Sequence, residues 1–345
     1  MSTINWVLEY VWIDPNGNLR SKNKVVEEDS SKNILMKITE WNFDGSSTGH
    51  TNGTNSDILI KPIATFTNPF IKYTKSLLVL CDCYNPDNTP HIMNKRVNCL
   101  ETYNKCLDNE PLFGIEQEYI LFGRNNLPLN WKEHNEPGCG TQGPYYCSVG
   151  GDRCFGRQIV DKHLELCLEA GIKICGTNAE VMASQWEYQI GPLNGIEVSD
   201  HLWMSRYILM KITESYECYV SFHPKPYKGN WNGSGGHTNF STKQMRNGLL
   251  NKPGYDFIIE ACEKLKLTHN EHMLVYGNFN DERLTGLYET SSINDFSYGV
   301  SDRHKSIRIP LNVYNNKEGY LEDRRPASNL DPYLVTEKIM NSILL

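Results

Sequence analysis

The stretch LFGIEQEYILFG, residues 112–123, has the apolar density of a buried strand, yet it carries Glu116 and Glu118. In a strand, residues i and i+2 share a face, so both carboxylates point one way and Gln117 points the other. Two acids so close repel each other, and burying them bare would cost several kcal/mol or force protonation. The spacing therefore predicts something positive against that face. A second stretch, NAEVMASQWEYQIGP (178–192), carries Glu180 and then a similar alternation. As a strand, its second half puts Trp186, Tyr188 and Ile190 on one face and Glu187 and Gln189 on the other. Taken alone, it reads as well as a half-exposed strand with solvated acids.

The chain has 345 residues, 39% of them hydrophobic, enough for a large core divided between two domains. Its formal net charge is -7 with the signs mixed, and no basic tract points to a nucleic-acid partner. Mean hydropathy is -0.50, and no apolar run approaches a membrane span. The start, MSTINWVLEYVWID, lacks the basic and apolar regions of a signal peptide. The expectation is a soluble, cytoplasmic protein. Its 11 cysteines include no CxxC pair, so reduced thiols are expected. Cys81 and Cys83, in LLVLCDCY, read as small residues on a strand rather than as half of a metal site.

The first 90 residues are β-rich. VLEYVWID, NLRSKNKVV, ILIKPI and LLVLCDCY have strand character, with turn signals such as DPNGN between them. The turn formers of NPDNTPH (85–91) suggest a boundary, giving domains 1–90 and 91–345. Helical spacing follows in residues 96–109, in 155–173 with Gly171 as the stop, in 199–220 with Ser199 or Asp200 as cap, and in 255–276. The last helix has Asp331 as cap and Pro332 at its first position. Strands between these helices carry the unusual residues, which argues an α+β fold.

GNWNGSGGHTNFST (229–242) holds four glycines, which permit close backbone approach to a ligand, and ends near His237. GYLEDRRPASN (319–329) sets Glu322, Asp323, Arg324 and Arg325 side by side, as an ordinary surface turn does. Carboxylates with at most one imidazole suit Mg²⁺ or Mn²⁺ better than zinc. Spacing carries the argument as far as an oxygen-rich divalent site of one or two ions. GDRCFGRQ (151–158) lacks the Lys and Ser/Thr of a phosphate loop, and no GxGxxG is present. Any phosphate would fall to arginines, with Arg283, Arg303, Arg308, Arg324 and Arg325 as candidates.

Several long motifs occur in one order: WNFDGSSTG, GIEQEY, GPYYCSVG, NAEVMASQWEYQIGP, PKPYKGNWNGSGGHTNFST, RLTGLYETSSINDFSYGV and GYLEDRRPASN. Together, from about residue 41 to 329, they resemble the glutamine synthetases of the shorter, eukaryote-type class. The resemblance implies a small N-terminal β-grasp domain and a larger catalytic α+β domain with an antiparallel sheet. It implies ATP-dependent ligation of ammonia to glutamate through γ-glutamyl phosphate, with Mg²⁺ or Mn²⁺ as cofactor. Glu118, Glu180 and Glu187 would hold one ion, and Glu116, His237 and Glu322 the other. Glu116, Glu187, Asn239, Phe240, Ser241, Arg303, Arg308 and Tyr320 would bind ATP. Asn230, Trp231, Gly233, Arg283, Arg303 and Arg324 would bind glutamate. Asp44 would help deprotonate ammonium, and Glu289 would sit on a mobile flap over the intermediate.

The resemblance further implies a homo-oligomeric ring, as a double pentamer, with active sites shared between adjacent subunits. Three departures qualify it. The chain begins almost at its first strand and stops soon after its last helix, so weaker stacking of rings is expected. Tyr288 stands where many members have His, and Lys305 where a small residue is usual, adding charge near the expected phosphate site. Rival readings are a γ-glutamyl-amine ligase, a ring protein without turnover and a metal-dependent phosphohydrolase. The matched ligands and arginines are all present, which favours the synthetase.

Overall fold

The computed structural model describes residues 5–27, 34–131 and 143–345. The first four residues, on which the reading of the N-terminus partly rests, lie outside the described residues. The chain forms two compact units, Met1–Asn98 with Glu165–Ile172, and Cys99–Leu164 with Lys173–Leu345.

The first unit holds β1 (Asn5–Ile13), β2 (Leu19–Glu27), β3 (Trp41–Asp44), β4 (Asp57–Thr67) and β5 (Lys75–Tyr84) in the order β2-β1-β5-β4-β3. β1 and β5 pair in parallel at the centre, and the flanking pairs are antiparallel. Alternate residues of β1 (Leu8, Tyr10 and Trp12) enter a core with Phe43, Ile58, Ile60 and Val79. Trp12 stacks on Phe43 with ring centroids 4.5 Å apart. Cys81 and Cys83 are buried in the same core, where burial pushes both thiols up. The ten cysteines of the described residues are all free.

The second unit is built on an eight-stranded sheet. Its strands are β6 (Leu112–Gly123), β7 (Ile174–Ala179), β8 (Gln185–Leu193), β9 (Cys218–Ser221), β10 (Gly236–Ser241), β11 (Tyr298–Val300), β12 (Ile307–Ile309) and β13 (Leu321–Asp323). The order is β11-β12-β13-β10-β6-β8-β7, and β9 pairs with the second half of β6. All pairings are antiparallel except β11 with β12. The fold class is thus α+β, as expected. In chain order the helices are α1 (Lys95–Lys105), α2 (Arg157–Ala170), α3 (Gly195–Thr213), α4 (Lys243–Asn247), α5 (Gly254–Leu267), α6 (His269–Met273), α7 (Leu311–Asn316) and α8 (Pro332–Leu344). None is long and apolar enough to cross a membrane.

Three local expectations need correction. Helix α3 starts at Gly195, and its cap is Asn194 rather than Ser199 or Asp200. Asn194 Oδ1 accepts from the N–H groups of Ile196 (3.1 Å) and Glu197 (2.9 Å). Glycine is a poor helix former, which hid this first turn. Close packing demands it, because a Cβ at Gly195 would stand 3.2 Å from the Phe113 ring and 3.3 Å from Met340. The tail of the same span is not helical, since Cys218–Ser221 is β9. The helix expected over 255–276 breaks at Thr268 into α5 and α6.

The run Glu322–Arg325 is not a surface turn. Glu322, Asp323 and Arg325 are 2%, 0% and 0% exposed. Alternation explains how three buried charges and the half-buried Arg324 are accommodated: Glu322 faces Arg324, and Asp323 faces Arg325, each pair of opposite sign. Asp323 accepts from Arg325 Nε (2.8 Å) and Nη2 (2.7 Å) and from the Tyr276 hydroxyl (2.7 Å). On the reverse face of β6, buried Gln117 accepts from Arg206 Nε at 2.9 Å and donates to Ser328 O at 2.9 Å. That network ties the sheet to α3 and to the segment after β13.

Loss of the Asn194 cap should weaken the first turn of α3 by about 1 kcal/mol. Asn194→Ala is expected to speed hydrogen exchange at Glu197 about fivefold. Ser199→Ala should leave that amide unchanged.

Candidate active site

Strand register assembles the acids. Glu118 stands opposite Glu187, and Glu187 opposite Asn178, forming one rung across β6, β8 and β7. Two residues along, Gln189, Glu116 and His237 form a second rung across β8, β6 and β10. Glu322 of β13 lies between Asn239 of β10 and Arg308 of β12. Glu180 follows β7 directly and is held by Gln185 O, which accepts its N–H at 2.8 Å. The even spacing of β6 and β8 thus gathers onto one face the carboxylates that the alternation placed there.

Each acid has ordered partners. Glu118 Oε2 accepts from Gly235 N–H (2.8 Å) and Gln185 Nε2 (3.1 Å). Glu116 accepts from Asn239 Nδ2 at 2.9 Å, and Glu180 from Asn178 Nδ2 at 2.8 Å. Gln189 donates to Glu187. Glu322 is clamped between two arginines, with Arg308 and Arg324 each donating at 2.6 Å. His237 Nδ1 faces Glu116 at 3.3 Å and Glu322 at 3.7 Å.

These partners do not neutralise the cluster. Burial, then the mutual repulsion of the acids, pushes Glu187 up to about 10 and Glu180 up to about 8. Burial raises Glu118 to about 7 against the pull of Arg283, and it raises Glu116 as well. Burial and then the nearby Arg324 hold His237 well below the ordinary imidazole range. The ring is therefore neutral, as a metal ligand must be. Glu116, Glu187 and His237 each bring one donor atom to within 4.8 Å of the others. Among the described residues this is the one such group, a donor set of carboxylates and a single imidazole that fits a hard divalent cation. It draws Glu187 from one expected ligand set and Glu116 with His237 from the other.

Two cavities adjoin here. The first, about 500 Å³, is lined by all six expected metal ligands and by Arg283, Arg303, Arg308, Arg324, Gly233 and Glu289. The second, about 460 Å³, is lined by Asn239, Phe240, Ser241 and Tyr320, with Ile190 and Pro192. Glu116 and Gln189 belong to both. Arg308 lines the first cavity, and its Nε is buried without a hydrogen-bond partner.

Other expected residues lie elsewhere. Trp231 is 7% exposed and packs with Ile120, Phe122 and Met182. Asn230 does not line either cavity, whereas its unpredicted neighbour Asn232 does. Asp44 belongs to the first unit, exposed at the end of β3. Its carboxylate accepts from Ser46 N–H (3.0 Å) and from the Ser46 (2.6 Å) and Ser47 (2.7 Å) hydroxyls. Those bonds hold it below the usual carboxylate range. Lys305 lines neither cavity and sits 3.8 Å from Asp302, so its charge is met locally.

The glycine-rich loop packs against Arg283 as well as facing the cavity. A Cβ on Gly233 would meet Pro224 O at 2.6 Å and Arg283 Cγ at 2.8 Å, and one on Gly235 would meet Arg283 Nη2 at 2.5 Å. These glycines make room for an arginine, and Gly233 also lines the first cavity. Arg283 is thereby buried and donates to His237 Nε2 and Arg324 O, each at 3.0 Å. Asn178, missed from the sequence, sits two residues before Glu180 on β7, a spacing that could have found it.

Comparisons with known proteins agree along the whole chain. The β-grasp domain model of glutamine synthetase matches residues 5–86, and the catalytic domain model matches residues 91–345. The chain is 48% identical over 336 residues to a glutamine synthetase of Neurospora crassa, covering 97% of this chain and 91% of that one. It is 49% identical to one of Agaricus bisporus, covering 98% and 93%. It is 48% identical to glutamine synthetase cytosolic isozyme 1-1 of Oryza sativa subsp. japonica, covering 98% and 94%.

The raised carboxylates set a pH dependence. Between their ordinary pKa of 4.5 and the raised values, the folded state binds more protons than the unfolded one. Stability of the metal-free protein therefore falls as pH rises through that window. In EDTA, Tm should drop between about pH 6 and about pH 9, and Mn²⁺ should raise Tm more at the higher pH. A Tm that is flat with pH would contradict this charge state.

Proposed function

The chain belongs to the glutamine synthetase family, a glutamate–ammonia ligase that makes glutamine, and on that premise we propose which residues carry the reaction. The supporting observation is the pair of cavities with a shared wall. A mostly apolar cavity beside a highly charged one suits a purine whose phosphates enter the carboxylate and arginine chamber. Asn239, Phe240, Ser241 and Tyr320 take the nucleoside, and Arg303 and Arg308 take the phosphates. Arg283 and Arg324 hold glutamate, with Gly233, and Asn230 and Trp231 support that loop from outside the cavity.

Glu118, Glu180 and Glu187 would hold one Mg²⁺ or Mn²⁺, and Glu116, His237 and Glu322 a second, which together neutralise phosphate charge and keep these acids ionised. An oxygen of the substrate γ-carboxylate forms a bond to the terminal phosphorus of ATP as the bond to ADP breaks. The arginines position both partners and screen the charge. Asp44 takes a proton from ammonium, and the freed ammonia attacks the acyl carbon. The carbon–oxygen bond then breaks, phosphate leaves with its electron pair, and it takes up the proton that the new amide nitrogen sheds. Glu289 stands at the mouth of the cavity, where closure excludes water from the acyl phosphate.

The domain division at residue 90, into 1–90 and 91–345, is supported by where the two family models end and begin. We place the protein in the cytosol, as the name of the rice relative suggests for that protein. A ring, assembled as a double pentamer, follows from the family. In it, the exposed Asp44 acts in the site of the adjacent subunit.

Phosphate release from ATP should require glutamate, ammonium and Mg²⁺ or Mn²⁺ together, with glutamine formed in step. Release without glutamate would overturn the reading, and preference for an alkylamine over ammonium would favour a γ-glutamyl-amine ligase. Shared sites predict complementation: Asp44→Ala and Glu289→Ala, each inactive, should regain about a quarter of wild-type activity when co-assembled in equal amounts. No recovery in co-assembled rings would place Asp44 outside the neighbour's site.

A further inference from the structure

Residues 284–293 form a loop with a tied base and a tip that has few ties of its own. At the base, Thr285 bridges Ser292, and Ile293 N–H donates to Leu284 O at 2.9 Å. The tip carries three residues in the left-handed region, Gly286 (φ +79), Tyr288 (φ 55) and Glu289 (φ 60). Two consecutive side-chain-bearing residues in that region are strained, and such a conformation persists only where surrounding contacts impose it. Thr290 supplies two local contacts, its hydroxyl donating to Leu287 O at 2.8 Å within the tip and to Arg283 O at 3.2 Å just before the base. The reach of Arg324 Nη2 to Glu289 O is long, at 3.4 Å.

The firm contact to another part of the chain is made by Tyr288. Its hydroxyl donates to Asn230 Oδ1 at 2.8 Å, joining positions 58 residues apart. Lys225 Nζ lies 5.1 Å from the centre of the Tyr288 ring and also donates to Trp231 O. The far side of this tether is firm. Trp231 is buried among Ile120, Phe122 and Met182, and meets the Trp131 ring edge-on at 4.5 Å. The tyrosine thus links a strained tip to Asn230, the residue next to the buried Trp231. Tyr288 and Glu289 both line the first cavity.

We propose that Tyr288 is a positioning residue that latches the 286–290 tip to the Asn230–Trp231 loop, holding Glu289 at the cavity mouth and so keeping water from the acyl phosphate. This rests on the assignment of the reaction and of Glu289 given above. With the latch lost, water replaces ammonia as the nucleophile at the acyl phosphate, giving back glutamate and phosphate. ATP is then spent as ADP and phosphate with no amide formed. Phenylalanine at 288 keeps the ring under Lys225 and removes only the hydroxyl. The latch would then be an element of coupling rather than of binding, so KM for ATP should stay within about twofold.

The test compares wild type with Tyr288→Phe in two measurements. The first is phosphate released per glutamine formed, with and without ammonium. Tyr288→Phe should raise that ratio about threefold or more and release phosphate without ammonium. The second is hydrogen exchange across 286–290 in the protein without substrates, which should quicken in Tyr288→Phe while Tm holds. A ratio that stays at the wild-type value overturns the positioning role, even if exchange quickens. Unchanged exchange overturns the latch itself. If the wild type forms no glutamine, the assigned reaction falls, and the exchange measurement alone still decides the latch.

Discussion

The mutual repulsion of Glu116, Glu118, Glu180 and Glu187 is the constraint around which the second unit is arranged. Two like charges about 4 Å apart repel by about 4 kcal/mol at an effective dielectric of about 20, and burial adds to that. The protein answers with fixed dipoles and with cations set one shell back. Gln185, Asn178, Asn239 and Gly235 N–H supply the dipoles. Arg308 and Arg324 bind Glu322 rather than the four crowded acids. The compensation is deliberately incomplete in charge, since the acids stay raised. In the metal-free protein protons supply the missing positive charge, and a divalent cation bound there would displace them.

The arginines show how such a site is scaffolded. Arg283 is buried, yet its guanidinium is spent on His237, Arg324 O and neighbouring carbonyls. Its flat fit against the loop depends on Gly233 and Gly235, whose missing side chains leave its space open. Behind it, the Asp323–Arg325 pair is closed off from solvent, with Tyr276 completing the carboxylate's bonds. A buried pair of this kind adds little net stability, but it orients the strand on which Glu322 and Arg324 sit.

Much of this was legible wherever a period of two governed. The shared face of Glu116 and Glu118 on β6 follows from alternation alone, whereas the approach of Glu187 from β8 is set by strand pairing, which alternation does not give. Asp331 and Pro332 announce α8 in the same local way. Less legible were features that long-range packing decides. Gly195 looks unhelical until Phe113 and Met340 are set against it. Glu322–Arg325 looks solvated until strand alternation sorts it into two opposite-sign pairs. Trp231 carries no local signal that it anchors a wall rather than lining a cavity. Metal grouping was visible only in part, because sequence names the ligands but not which donor atoms converge.

The two faces of β6 also bear on how the sheet finds its pairing. The front carries Glu116 and Glu118, and the reverse carries Gln117, whose amide is matched to Arg206 and Ser328 O. A slip by one residue would exchange the faces. Two carboxylates would then enter the dry side among Tyr119-flanking core residues, and an uncharged amide would face the acids of β8. Misregistered pairing is therefore penalised once the sheet packs, by buried carboxylates and by the lost Gln117–Arg206 contact. The acids that crowd the site thus also disfavour the wrong strand alignment.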